Sequence, residues 1–145
     1  MDDYSALAGF RFPGGDYRIQ PHRHWLACDA IGADPRAFTD VAHPLFVYYA
    51  AVGGMGMSLE SLFDLCGAGP DTPQPMLGET SLEIDTPLRV GETYRVSGTI
   101  EEVRRRSGQR IGSMDLITAV FVLQQADGKA QARCRIVFVF PRQMS

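Results

Sequence analysis

The chain has 145 residues and is 45% apolar, which fits one domain with a core of its own. A formal charge of −3 supplies no cationic field for holding nucleic acid. No apolar run approaches the ~20 residues of a membrane span. The opening MDDYSALAGF carries two acids and no basic stretch, so a secretory leader is not expected. Cys28, Cys66 and Cys134 are odd in number and form no CxxC pair. They read as reduced thiols of a cytoplasmic protein, and no metal-ligand spacing accompanies them.

Pro13, Gly14 and Gly15 punctuate an opening loop, and a short strand is expected over Tyr17–Gln20. Pro21 introduces a helix over His22–Ile31, ended by Gly32. His22 and His24 lie two apart, a spacing that joins ligands only on a strand, and no third ligand fits. They are expected on the surface or in a lid. Trp25 and Phe12 read as packing residues. After a loop over 33–42, Pro44 suits the first turn of a helix over Leu45–Val52. That stretch, LFVYYAAV, has no polar face, so it is expected to be buried. Gly53, Gly54 and Gly56 follow, where small residues allow a strand backbone to pass close. Ser58–Leu65 reads as an amphipathic helix with Ser58 and Ser61 as candidate caps. A loop rich in Gly and Pro over 67–75 completes the first half.

The second half alternates. A strand is expected at Met76–Ile84. Tyr94, Val96, Gly98 and Ile100 share one face of the next. Met114–Leu123 is apolar on both faces at its centre, as in a central strand covered on both sides. Ala132, Cys134, Ile136, Phe138 and Phe140 share a face of the last. Turns are expected at 106–109 (RSGQ) and at Asp127-Gly128. One buried helix followed by a long antiparallel sheet predicts an α+β fold of the hot-dog type, one domain over 1–145. A generic α+β sandwich is the competing arrangement.

The stretches AIGADPRAF (30–38), VAHPLFVYYA (41–50), GETSLEIDTPLRVGETYRVSGTIEEV (78–103) and DGKAQARCRIVFVF (127–140) resemble the MaoC-like hydratase/dehydratase family. The resemblance implies an acyl thioester on CoA or an acyl carrier, with water added to or removed from an α,β-unsaturated chain. It implies no separate cofactor. A carboxylate and an imidazole hold the water, and backbone N–H groups at the buried helix stabilise the thioester oxyanion. The family carries this dyad in a Gly-Asp-x-Asn-Pro-x-His type segment. Anchored on Gly32, the Asp position here holds Ala33 and the His position holds Phe38, neither of which relays protons. Asp34 is offset by one residue. The chain therefore resembles the FAS1-type, N-terminal half of a double hot dog, which lacks the dyad and shapes the acyl tunnel.

Several residues admit two readings. His43, with Asp40 three residues earlier, is either an acid/base unit facing the thioester or a structural cap. Gly53, Gly54, Met55 and Met57 either line an acyl tunnel or fill the core. Arg104, Arg105 and Arg106, with Arg110, either recognise CoA phosphates or an acidic carrier, or form a solvated hairpin tip. No GxSxG elbow or dinucleotide fingerprint is present. Three functions follow: a hydratase/dehydratase component completed by a dyad-bearing hot-dog partner, a non-catalytic acyl-thioester binding or scaffolding subunit, or a hot-dog thioesterase using Asp40. A dimer or larger assembly is expected, because a lone hot-dog sheet leaves an edge strand open.

Overall fold

The structure, a computed structural model, describes residues 3–110 and 112–143, without the side chains of Pro35 and Gln143. Five strands form one antiparallel sheet: β1 (Gly15–Arg18), β2 (Met76–Ile84), β3 (Thr93–Gly108), β4 (Gly112–Gln124) and β5 (Ala130–Gln143), in the order β1-β3-β4-β5-β2. Among the described residues the α-helices are α1 (Pro21–Ala30), α2 (Phe46–Gly53) and α3 (Leu59–Leu65), with short 3-10 turns at Ser5–Leu7 and Pro35–Ala37. This is the α+β, hot-dog arrangement expected, with the sheet packed around α2.

The alternation in β3 to β5 sets the core. Tyr94, Val96 and Ile100 point inward with Ile117, Ala119, Phe121 and Leu123 of β4, and with Ala132, Cys134, Ile136, Phe138 and Phe140 of β5. The apolar stretch of α2 supplies Phe46, Val47, Ala50 and Ala51 to the same core. Ser58 caps α3 by accepting the Ser61 N–H at 3.0 Å. The three cysteines are free and buried.

Four expectations need correction. The outer face of β4 is not covered as its two-sided apolar pattern predicted: Val120 and Val122 are half-buried, as are Val137 and Val139 on the same face of β5. The β3–β4 ladder runs on to Gly108 and Gly112, so the chain reverses later than RSGQ. Trp25 is 53% exposed, not packed. His24 is 2% exposed, not at the surface. Helix period explains the last two, because His24 and Cys28 are one turn apart on the inward face of α1 and Trp25 lies off it.

The glycines at the end of α2 act as close-packing residues. A Cβ on Gly54 would sit 2.5 Å from Val96 Cγ2 and 3.0 Å from the Ala50 carbonyl oxygen, and one on Gly53 would sit 2.7 Å from the Tyr17 ring. Met55 is fully buried, and its carbonyl accepts the Gly14 N–H at 2.9 Å. Gly54→Ala is therefore expected to cost about 1–3 kcal/mol through overpacking. Urea unfolding checks this, and Val96→Ala in the same chain should recover part of the loss.

At the other edge, β2 is exposed along its whole length. Its register with β5 places Leu77, Thr80, Leu82 and Ile84 on the helix side and Glu79, Ser81 and Glu83 on the outside. The eight residues of α2 span only ~12 Å, so the concave side stays open along β2.

Candidate functional site

The first turn of α2 is tied down from both sides. Pro44 has no N–H to satisfy at the helix start. The Leu45 N–H donates to Nδ1 of His43 at 3.1 Å. The Phe46 and Val47 N–H groups donate to the carbonyls of His43 and Pro44 at 2.9 and 3.0 Å. The His43 N–H donates to Nε2 of His24 at 2.9 Å. The backbone amides that the family resemblance assigned to an oxyanion are thus already paired within the chain.

His24 holds this loop from below. Its ring packs 4.9 Å from the Phe46 ring, and the Cys28 Sγ lies 3.6 Å from Nε2. Burial pushes the His24 pKa below its ordinary 6.5, and His43 adds to the shift. A buried neutral histidine binds its proton more readily once unfolded. Stability is therefore full above about 6.5 and falls as pH drops from there toward the lower folded value, by at most ~1.4 kcal/mol per pH unit. Urea unfolding at a series of pH values between 5 and 8 should show this slope, and His24→Gln, which keeps an acceptor without titrating, should remove it.

Beside His43 lies a cavity of about 140 Å³. Phe38, Pro44, Val47, Ile84 and Leu88 form most of its wall, with His43 as the polar side chain. Val47 brings α2 to it, Ile84 brings the exposed edge β2, and the Phe38 ring stands 5.1 Å from the His43 ring. Phe38 thus places an apolar ring in this wall, at the position where the family pattern has an imidazole.

The other candidates lie elsewhere. Asp40 uses its backbone carbonyl to accept the Val90 N–H at 2.9 Å. His24 Nε2 and His43 Nδ1 are engaged by backbone N–H groups and not by its carboxylate, and no carboxylate lines the cavity among the described residues. Asp34 accepts from the guanidinium and the backbone N–H of Arg36, bonds that hold its carboxyl below the ordinary range, and it is exposed. Gly53 ends α2 and Gly54, Met55 and Met57 follow it, at the opposite end of the helix from His43. Arg104 pairs with Glu102 at 3.6 Å on the surface, and Arg106 is exposed. Arg105 reaches the buried Asp115 with Nε at 2.8 Å and Nη2 at 2.9 Å. In the sheet register Arg105 sits opposite Asp115, whereas Ile84 is level with Ala132 and Leu123. Eight residues of β4 separate the two levels, roughly 26 Å, so the arginines are at the far end of the sheet from the cavity.

The cavity itself was missed. Its walls come from Phe38, from the Pro87-Leu88 turn and from an edge strand, and no sequence period links these segments. The signal within reach was the His24/Cys28 spacing, which marks an inward helix face under His43.

No family model and no curated protein matches this sequence. Solved structures do match. Over 92% of this chain and 96% of the other, it is similar to a chain of the HadBC (3R-hydroxyacyl-ACP dehydratase) complex from Mycobacterium tuberculosis, with a TM-score of 0.68 and 14% identity. For the ChsH1–ChsH2 complex from Mycobacterium tuberculosis the values are 94% and 87%, 0.69 and 16%. For a MaoC-like dehydratase they are 94% and 43%, 0.70 and 17%. At these identities the likeness is one of fold, and the fold is the hot dog of MaoC-like dehydratases. No helix among the described residues is long and apolar enough to cross a membrane.

Proposed function

We propose that this chain is the dyad-lacking half of a hot-dog enoyl-thioester hydratase or 3-hydroxyacyl-thioester dehydratase, completed by a second hot-dog chain that carries the carboxylate and imidazole. The observation that carries the reading is the apolar cavity at the start of α2, walled on one side by the uncovered edge β2. Its size suits a short acyl group, since an apolar cavity of ~150 Å³ holds benzene. In hydration, the hydroxyl of water bonds to C3 of the enoyl thioester and a proton is delivered to C2; dehydration reverses both steps. Ala33 and Phe38 stand where this chain would supply its acid and base, so those come from the partner. The fold neighbours HadBC and ChsH1–ChsH2 are themselves complexes of two named chains, which supports a hetero-oligomer.

The same missing pair supports a second reading, a subunit that holds an acyl thioester without converting it. A thioesterase needs a carboxylate at the carbonyl, and Asp40 is not in the cavity wall. Mixing the pure chain with crotonyl-CoA and with a saturated acyl-CoA separates the three. Silence that gives way to loss of enoyl absorbance when a dyad-bearing chain is added supports the proposal. Binding that stays silent with the partner present supports the scaffold, and release of free thiol indicates hydrolysis.

A further inference from the structure

We infer that His43 serves this site as a fixed hydrogen-bond donor, presenting Nε2–H to the thioester carbonyl oxygen, and that it is not the base. The inference rests on the acyl-thioester reading of the cavity and assigns the role of one side chain within it. A backbone amide has only a proton to offer, so the Leu45 N–H can bond Nδ1 of His43 only through that nitrogen's lone pair. The neutral ring then carries its proton on Nε2. Nε2 is also the ring nitrogen left for the cavity that His43 lines.

Two further contacts hold the ring in this state. The His43 backbone is anchored by its N–H to the buried His24, and the Phe38 ring packs 5.1 Å away. The amides of the first helical turn are all engaged, Leu45 with the His43 ring and Phe46 and Val47 with the carbonyls of His43 and Pro44. With those amides taken and the rest of the wall apolar, Nε2–H is the donor available to polarise a carbonyl there. A base needs a bare nitrogen facing the substrate, and the bare nitrogen of His43 is occupied by Leu45. Proton removal from water therefore falls to the partner, while His43 keeps its own proton throughout.

Histidine-15N spectra of the chain, with His43 assigned by its loss in a variant, test the tautomer directly. The expected pattern is a protonated Nε2 and a bare Nδ1 at neutral pH; a protonated Nδ1 overturns the inference. Binding of crotonyl-CoA by the chain, isolated with its partner, tests the use of that proton. His43→Gln places an amide donor where Nε2 was and should stay within about threefold of wild type. His43→Asn reproduces the acceptor for Leu45 but no donor for the cavity, and should weaken binding about tenfold, as should His43→Ala. Wild-type affinity in His43→Asn would reduce His43 to a helix cap and overturn the inference. Failure of the unaltered complex to bind crotonyl-CoA would instead overturn the acyl-thioester reading, and this use of the proton with it, whatever tautomer the spectra show.

Discussion

Asp115→Ala is expected to destabilise the chain by roughly 3–5 kcal/mol, the usual effect of leaving a buried charge without its partner. Asp115 sits on β4 with 1% of its side chain exposed, inside a strand that is otherwise uncharged. Its Oδ2 accepts from Arg142 Nε on β5 at 2.7 Å, and Arg105 on β3 grips both oxygens. Burial alone would push the carboxyl pKa up, but the hydrogen bonds from Arg105 and Arg142 outweigh it and hold it below 3.8. Its stabilising contribution is thus present above 3.8 and lost as pH falls through the lower folded value. The two arginines differ in what they lose. Arg105 is one-third exposed and can turn to water, whereas Arg142 is 7% exposed and stacked over the Tyr4 ring at 4.2 Å. Arg142 Nη2 has no hydrogen-bond partner among the described residues even with Asp115 in place. Replacing both Asp115 and Arg142 by Leu should recover most of the loss, because a well-packed apolar pair removes the stranded charge. Chemical unfolding of the single and double variants checks the cycle. A loss under ~1 kcal/mol in Asp115→Ala would mean that Arg142 is not held by this carboxylate.

The second large effect concerns assembly. The double change Leu82→Lys and Ile84→Lys is expected to leave the chain folded while lowering partner affinity at least a hundredfold and abolishing turnover by the complex. Both side chains are 37% exposed on the concave side of β2, so little core is lost. Charges on an edge strand oppose pairing with another sheet, and burying two unpaired ammonium groups in an interface costs several kcal/mol. Ile84 also lines the cavity, so the same change places a cation where the acyl group is held. Sedimentation analysis and an unfolding curve on the same sample separate the outcomes. An intact complex in the double variant would show that the partner does not pair along β2.

Much of the architecture was legible because it depends on local periodicity. Period two in β3 and β5 named the inward residues, and the lack of a polar face on 45–52 marked the buried helix. Ser58 showed itself as a cap by its place before an amphipathic stretch. What was missed depends on contacts distant in sequence. Asp115 shares its parity with Ile117, Ala119 and Phe121, so its inward direction was readable, but its partner Arg142 is fixed only by the β4–β5 register. By sequence His24 reads together with His22, two residues away, as a surface or lid residue; on the helix that holds it the relevant neighbour is Cys28, one turn on. The arginine run on β3 drew attention as a phosphate site, yet alternation alone places Arg105 on the opposite face from Arg104 and Arg106. The cavity joins a loop, a helix start and an edge strand, which no local pattern connects. His43 is where the two levels meet. The sequence marked it as a cap or a catalytic group, and the structure makes it a cap through Nδ1, which leaves Nε2–H as the nitrogen it can offer a ligand.

The central claim is that this chain is half of an enzyme. The most direct measurement is to isolate it from its host under native conditions, determine the mass and composition of the assembly, and follow crotonyl-CoA absorbance with that assembly and with the chain alone. The expected result is an equal pairing with a second hot-dog chain bearing an intact Asp/His segment, active together, while this chain alone is inert. A homodimer of this chain that hydrates crotonyl-CoA at full rate would contradict the account.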